Sequence, residues 1–200
     1  MYFGRIRGLK RRELKTRVDN LIEELNLREH LYKWGNEISG GIKRKLLVGL
    51  SMVGNPSAII LDEPTTGLDP HSRREVWELI RSYQREGAAI LLTTHYMEEA
   101  EYLSERVGII SRGELKAIGT VAELQERIDK RYKLTYSPPG SPVYPREWAT
   151  IYGRTVEELQ KHIQKLELEE YDLSKINLED IYLELTSQSL KTEGNSDELV

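Results

Sequence analysis

The stretch SAIILDEPTTGLDPHSRR, residues 57–74, begins as an apolar run and then changes to acids and prolines. A short unbroken apolar run of this kind, here residues 58–61, is typical of a parallel strand that is buried on both faces. The adjacent carboxylates of Asp62 and Glu63 follow directly, in front of a proline. A third acid, Asp69, precedes another proline, which is typical of a helix start. The stretch therefore predicts a strand, an acidic turn and a helix.

The residues that follow complete a strand–helix–strand unit. The helix that begins after Asp69 is predicted to end at Gly87. Its inward stripe is predicted to consist of Val76, Leu79, Ile80 and Tyr83. A second buried strand, AAILLTT, leads to His95. Because ligands in open α/β sheets bind beyond the carboxyl ends of the strands, we expect Asp62, Glu63 and His95 to share one crevice.

Two acids and a histidine at one sheet edge suit chemistry on a phosphate chain. Neighbouring carboxylates repel each other unless a cation or a proton intervenes, and magnesium is a hard cation served by carboxylate oxygen and water. Glu63 could take a proton from, or orient, a water that attacks a phosphoryl group, and His95 could contact the terminal phosphate. Simpler interpretations stay open: a solvated strand end at DEP, a structural hydrogen bond at His95, and only a helix cap at Asp69.

Two helices are predicted before the first strand. Residues 10–34 repeat apolar residues at three- and four-residue spacing. These residues are Leu14, Val18, Leu21, Ile22, Leu25 and Leu27. The segment ISGG then leads into a helix at about residues 41–53, with Ser39 as its N-cap. Gly40 and Gly41 let the backbone approach a ligand, and the helix start offers free amides to an anion. A flexible cap without a ligand is the alternative.

Composition and charge exclude several classes of protein. The chain has 200 residues, no cysteine and a formal net charge of −4. Disulfides and thiolate metal sites are therefore excluded, and broad nucleic-acid binding is disfavoured. No apolar stretch approaches the roughly 20 residues that a membrane span needs. Seven basic residues crowd the first 17 positions, which favours a solvated helix face over a site for anionic lipid or a partner.

The second half of the chain predicts smaller elements. RVGIIS is expected to be a third strand, RGELKAIGT to continue it through a tight turn at Gly113, and Thr120 to cap a last helix. A proline-rich loop is predicted at residues 137–145. Residues 130–188 are expected to form a small α+β appendage, and residues 189–200 a disordered tail.

Four motifs, in this order, resemble the ATP-binding cassette of ABC transporters. ISGGIKRKL resembles the signature motif, AIILDEP the Walker B strand with its catalytic glutamate, TTGLD the D-loop, and LLTTH the switch-histidine loop. The resemblance spans residues 36–95 and continues through RVGIISRGELKAIGT. LEDIYLELT is similar to the C-terminal region of cassettes from exporters of the daunorubicin-resistance type.

This resemblance implies the fold class and the domains. The fold is expected to be α/β: a partial, P-loop NTPase-like parallel sheet with a helical subdomain, plus the small α+β appendage. The cassette portion would take residues 1–129, with the helical subdomain at about 10–53 and the Walker B to switch-histidine region at 57–95. The appendage would take residues 130–188.

The resemblance also implies a role for each site residue. Asp62 would serve a magnesium ion, chiefly through water, Glu63 would be the general base of ATP hydrolysis, and His95 would contact the γ-phosphate. The residues implied to act on ATP held by the opposite subunit of a head-to-tail dimer are Ser39, Gly40, Gly41 and Asp69. Closure of that dimer would drive transmembrane permease subunits, which places the chain in the cytoplasm, peripheral on the cytoplasmic face of a membrane.

The sequence also departs from the family pattern. Ile38 and Ile42 stand where leucine and glutamine are usual in the signature. A G-x-x-x-x-G-K-[ST] phosphate loop is missing, and so are the glutamine loop and the early strands. The chain is therefore interpreted as the C-terminal portion of a cassette: a truncated product, a misassigned start or half of a split cassette. An unpaired sheet edge and exposed core surface are expected.

Three functions stay open on the sequence alone. The first is the ATP-hydrolysing subunit of an ABC exporter. The second is a non-catalytic remnant or regulatory protein that lends its signature helix to another cassette. The third is a DNA-repair or chromosome-associated ATPase with the same motifs, which should show a long coiled coil or a more basic surface; this sequence shows neither.

Overall fold

The structure is a computed structural model that describes residues 2–6, 8–138 and 147–194, with the backbone alone for residue 3 and residues 187–194. The chain forms two compact units, Met1–Leu103 and Ser104–Val200. Within the described residues, no helix has the length and apolar character needed to cross a membrane.

The first unit combines helices with a two-stranded parallel sheet. Its helices are α1 (Tyr2–Ile6), α2 (Arg11–Glu24), a 3₁₀ turn (Arg28–His30), α3 (Gly40–Met52), α4 (Pro70–Arg85) and α5 (Met97–Leu103). Strands β1 (Ala58–Asp62) and β2 (Ala89–Thr93) pair in parallel, with Asp62 opposite Thr93 at the carboxyl end. Because α4 connects the two strands, the predicted strand–helix–strand unit is confirmed.

Capping and burial explain why these helices form where they do. The Ser39 side chain accepts a hydrogen bond from the Ile42 amide at the start of α3. The Asp69 side chain does the same for α4, which has a proline in its first turn. The four residues of the predicted α4 stripe are all buried and join one apolar cluster with Ile59 and Leu61 of β1. The predicted caps and inward face are therefore confirmed.

The prediction that β1 is buried on both faces is wrong. Ile59 and Leu61 point into the core, but Ile60 is 77% exposed, and Leu91 on β2 is 65% exposed. One face of the β1–β2 sheet packs on the helices of this unit, and Ile60 and Leu91 lie on its other, exposed face. The exposed core surface expected from the sequence is therefore present.

The predicted helix over residues 10–34 is shorter than expected. α2 ends at Glu24, and Asn26 then takes a left-handed backbone conformation with φ of 52°. Asparagine is one of the few residues with a side chain that visit this region readily, so it stops the helix in mid-pattern. The apolar stripe itself is correct, since Leu14, Leu21 and Leu25 are all buried.

The described residues of the second unit form a hairpin, a three-stranded sheet and three helices. Strands β3 (Val107–Ser111) and β4 (Glu114–Gly119) pair antiparallel around the predicted turn at Gly113. The remaining elements are α6 (Val121–Glu126), β5 (Tyr132–Tyr136), β6 (Ala149–Gly153), α7 (Val156–Lys165), β7 (Tyr171–Lys175) and α8 (Leu178–Gly194). The sheet order is β6-β5-β7, with both pairs antiparallel. Thr120 caps α6 as predicted.

Two predicted boundaries differ from the observed elements. Residues 104–129 belong to the second compact unit, whereas the motifs assign them to the cassette portion; the division at residue 129 stays a prediction about family similarity. Helix α8 continues to Gly194, into the tail predicted as disordered. Adding a residue to an existing helix costs less free energy than nucleating a new one, so a helix that has formed extends along the chain. Residues 195–200, and residues 139–146 of the proline-rich loop, lie outside the described residues.

Candidate functional site

The carboxyl ends of β1 and β2 bring Asp62 and Glu63 beside the segment that leads to His95. The Thr93 hydroxyl donates a hydrogen bond to the Asp62 carboxylate. The Glu63 amide donates to the Thr93 carbonyl oxygen at 3.0 Å. The parallel register thus fixes both acids at the strand end, where a ligand of an open α/β sheet is expected.

Glu63 and His95 are in direct contact. His95 Nδ1 lies 3.2 Å from Glu63 Oε1, and the Thr66 hydroxyl donates to Glu63 Oε2 at 3.1 Å. The side chains of Glu63 and His95 are 45% and 54% exposed, so both reach solvent. Glu63 itself has φ of 47°, a left-handed conformation that is uncommon for a residue with a side chain. The structure therefore brings two of the three predicted crevice residues, Glu63 and His95, into contact, while Asp62 directly precedes Glu63 at the strand end.

Two further side chains form a stack behind the histidine. The Tyr96 ring lies tilted against the His95 ring, with 4.2 Å between their centroids. The guanidinium of Arg73 on α4 lies over the same Tyr96 ring, 4.3 Å from its centroid. A cation over an aromatic ring is attracted by the ring's quadrupole. Sequence reasoning missed both residues, because neither belongs to a motif.

Asp69 lies at the end of the same turn and caps α4. Its Oδ1 accepts hydrogen bonds from the amides of Ser72 and His71, each at 3.0 Å. These hydrogen bonds lower the pKa of Asp69 to about 2, and those from Ser72 have a larger effect than the one from His71. The carboxylate is therefore ionised at neutral pH and its cap role is established. Its role in acting on a second subunit stays a prediction.

The start of α3 lies next to the turn that ends at Asp69. A Cβ atom placed on Gly41 would come within 3.3 Å of the Leu68 side chain, whereas one on Gly40 would meet nothing within 4 Å. Ser39 and Gly40 are exposed. The signature segment is thus accessible at its first residues and packed against the D-loop segment at Gly41.

The oxygen atoms at the strand end fit a magnesium ion that is held largely by non-protein ligands. The Asp62 carboxylate lies at the strand end and accepts a hydrogen bond from the Thr93 hydroxyl, whereas the Glu63 carboxylate is held by His95 and Thr66. Among the described residues, no cluster of three or more His, Cys, Asp or Glu residues could hold a metal ion. Magnesium in nucleotide sites usually keeps several waters and substrate phosphates as ligands, so one or two carboxylates are sufficient.

Comparisons with known proteins return one family profile and a set of similar transporters. A family profile described as "AAA domain, putative AbiEii toxin, Type IV TA system" matches residues 8–100. Cholesterol transporter ABCA5 of Rattus norvegicus is 32% identical over 226 residues, covering 97% of this chain and 14% of that protein. ATP-binding cassette sub-family A member 2 of Homo sapiens is 40% identical over 157 residues, covering 76% of this chain and 6% of that protein.

A solved structure supports the same assignment. The ATP-binding subunit of an ABC transporter superposes with a TM-score of 0.57 and 29% identity, over 63% of this chain and 54% of that one. The fold of the chain is mixed α/β and resembles that of ATP-binding cassettes, which are P-loop NTPases. Within that class, the chain is a homologue of the ATP-binding cassettes of ABC transporters, as its motifs predicted. It spans 14% of the length of the cholesterol transporter it matches.

Proposed function

We propose that the chain is part of the nucleotide-binding subunit of an ABC exporter, in which ATP binding and hydrolysis drive transport. It would supply the carboxylates Asp62 and Glu63 and the histidine His95 of the ATPase site. One observation carries the proposal: Glu63 and His95 are in contact at the strand end where Asp62 offers a second carboxylate. A base that orients water, a group that meets the terminal phosphate and a metal-facing acid are what phosphoryl transfer to water requires. The transporters among its relatives favour this function over DNA repair.

The residue roles follow from this arrangement. Asp62 would hold magnesium through water, and the bound ion would neutralise charge on the β- and γ-phosphates. Glu63 would hold the attacking water and accept its proton, while His95 would donate to a γ-phosphate oxygen. Ser39, Gly40, Gly41 and Asp69 would complete the site of a second, head-to-tail subunit, which the exposure of Ser39 and Gly40 permits.

The sequence lacks a phosphate-binding loop, and this limits the ATP hydrolysis that we expect of the chain alone. The sequence contains no G-x-x-x-x-G-K-[ST] segment, so no ring of amides and no lysine grip the β- and γ-phosphates. We expect the isolated chain to hydrolyse ATP negligibly, and activity to need such a loop from elsewhere. Magnesium-dependent turnover of the isolated chain that disappears in Glu63→Gln would contradict this expectation.

An apolar groove supports a membrane-embedded partner. The groove lies between α2 and α3 and has a volume of about 340 Å³. Leu31 and Leu46 line it and are themselves exposed. We propose that a helix of a transmembrane permease subunit occupies it, with the cassette on the cytoplasmic face of the membrane. The net charge of −4 argues against nucleic acid as the partner.

Manganese–ATP tests where the nucleotide lies. Manganese substitutes for magnesium and broadens nearby NMR resonances even at low occupancy, so weak binding by the full chain is sufficient. We expect the amides of Thr93 and His95 to broaden most, and Asp62→Asn to abolish this effect. Asp19→Asn, which removes an exposed acid of α2, is the matched control and should behave like the wild type.

The same titration separates the proposal from its rival. A remnant that only lends its signature helix would leave the amides of Thr93 and His95 sharp, even where those of Gly40 and Gly41 broaden, and Asp62→Asn would leave that pattern unchanged. Broadening spread evenly over acidic residues of both units would contradict a nucleotide site at the strand end.

A further inference from the structure

A fully buried carboxyl group lies beside the candidate site. Glu99, on α5, has 0% exposure. Its Oε1 accepts two hydrogen bonds, from the Thr65 hydroxyl at 2.7 Å and from the Trp77 indole nitrogen at 2.9 Å. Its Oε2 is buried and has no hydrogen-bond partner among the described residues. An unpartnered buried polar atom is rare and destabilising, so its presence calls for a reason.

The two donors come from different segments of the first unit. Thr65 lies in the turn between Glu63 and Asp69 and is fully buried. Trp77 lies on α4, the helix that this turn leads into. Glu99 itself follows His95 by four positions. One carboxyl oxygen therefore holds together the turn after β1, the helix α4 and the segment that carries the histidine.

Hydrogen bonds within the turn connect Thr65 to the candidate site. The Leu68 amide donates to the Thr65 carbonyl oxygen at 3.1 Å, and the Thr66 amide donates to the Glu63 carbonyl oxygen at 3.3 Å. The neighbouring Thr66 hydroxyl also holds the Glu63 carboxylate. A displacement of Thr65 would therefore move the residue that orients Glu63 toward His95.

A purely space-filling role does not account for Glu99. A leucine or methionine would fill a similar volume without burying a carboxyl group, and would avoid the desolvation cost. What only an acceptor side chain provides is the pair of hydrogen bonds from Thr65 and Trp77. Those bonds act where the backbone is already unusual, because Glu63 takes a left-handed conformation.

We propose that Glu99 is a positioning residue, which fixes the turn of residues 64–69 so that the Glu63 carboxylate meets His95. Its consequence for ATP hydrolysis rests on the proposed function, but the anchoring itself does not. Glu99 touches neither nucleotide nor metal in this role; it acts through Thr65 and Thr66.

Amide hydrogen exchange of the full chain tests the anchor, with Glu99→Leu, Glu99→Gln and Thr65→Val as variants. In Glu99→Leu we expect the Thr66 and Leu68 amides to exchange roughly tenfold faster relative to the β1 and β2 amides, as for the loss of a buried hydrogen bond. The Trp77 indole resonance, one of three in the chain, should shift as its acceptor disappears. Glu99→Gln keeps an acceptor oxygen and should restore both readings.

Two controls keep the test decisive. Leu79→Ala, in the buried face of α4, should speed exchange throughout the first unit without a local excess in the turn. Thr65→Val keeps the branched shape and removes the hydroxyl, so it should reproduce the local effect even if Glu99→Leu does not fold. Equal acceleration of turn and strand amides in Thr65→Val, or unchanged turn amides, would overturn the proposal.

The exchange experiment contains no nucleotide, so a failure of the proposed function leaves its result intact. The link to function is read separately from manganese–ATP broadening at His95. We expect this broadening to weaken in Thr65→Val and to persist in Glu99→Gln. Where the wild type shows this broadening, local exchange effects in Thr65→Val without any change in broadening would show an anchor that does not serve the site, and would overturn the positioning role.

Discussion

Glu63 combines an unfavourable backbone conformation with favourable side-chain contacts. The left-handed conformation, with φ of 47°, costs a residue with a Cβ atom about 1 kcal/mol. The carboxylate nevertheless contacts His95 and Thr66 from this position. The turn therefore keeps a locally unfavourable residue where its side chain meets the histidine, a combination that is common at functional sites.

Comparing two truncations of Glu63 measures this backbone cost. Glu63→Ala and Glu63→Gly both remove the side-chain contacts, but glycine also relieves the left-handed strain. We expect the glycine variant to be the more stable by about 1 kcal/mol, read from urea unfolding monitored by circular dichroism. An alanine variant as stable as the glycine variant would show that the turn relaxes and that no strain is stored at this residue.

Asp69 predicts a specific acid dependence of stability. Hydrogen bonds from Ser72 and His71 lower its pKa from 3.8 to about 2. Since the folded pKa lies below the unfolded one, the ionised group stabilises the fold fully above pH 3.8, and this contribution is lost as the pH falls through about 2. The thermal midpoint of Asp69→Ala should lie below that of the wild type at pH 6, and the gap should narrow between pH 4 and 2. In Asp19→Ala, which removes an exposed acid without a cap role, no such narrowing is expected.

At the scale of the elements, a buried ion pair joins α3 to α4. Lys45 on α3 is only 4% exposed and pairs with Glu75 on α4, while its Nζ also donates to the Leu25 carbonyl oxygen at 3.4 Å. His71 lies 3.3 Å from the other oxygen of Glu75. The helix that begins at the signature segment is thus tied to the helix that Asp69 caps, independently of apolar packing.

Removing one partner of this pair should cost more than removing both. Lys45→Met leaves the Glu75 carboxylate without its buried cation, and we expect a loss of about 3 kcal/mol in the free energy of unfolding. Lys45→Met combined with Glu75→Met replaces both charges by apolar groups and should recover most of that loss. Urea unfolding of the two variants checks this, and a double variant less stable than Lys45→Met would contradict it.

The elements near the site could be predicted because their signals are local. Ser39 and Asp69 are caps that act within three residues, and the apolar runs of β1 and β2 mark the strands by themselves. The exposure of Ile60 could not be predicted, since it depends on what lies over the sheet. Glu99 was missed for the same reason: in MEEAEYL nothing distinguishes it from the other glutamates, and its partners lie 22 and 34 positions away.

At the scale of the whole molecule, each compact unit has its own apolar core. The first is built around α4 and β1, and the second contains a cluster of Leu134, Leu159 and Leu168 under the three-stranded sheet. The motifs of the ATP-binding cassette lie in the first unit, apart from the hairpin similarity that extends beyond residue 103. Separate cores predict that damage in one unit should leave the packing of the other intact.

Leu134→Ala tests this separation, because Leu134 is fully buried in the second core. Losing its side chain leaves a cavity and should cost that unit about 3 kcal/mol. Trp77 reports on the first unit and Trp148 on the second, so indole resonances followed through a urea titration resolve the two transitions. We expect the Trp148 midpoint to fall and the Trp77 midpoint to stay, while Leu79→Ala should do the reverse. Equal shifts of both midpoints in either variant would show that the units unfold as one, and that the site depends on the C-terminal core.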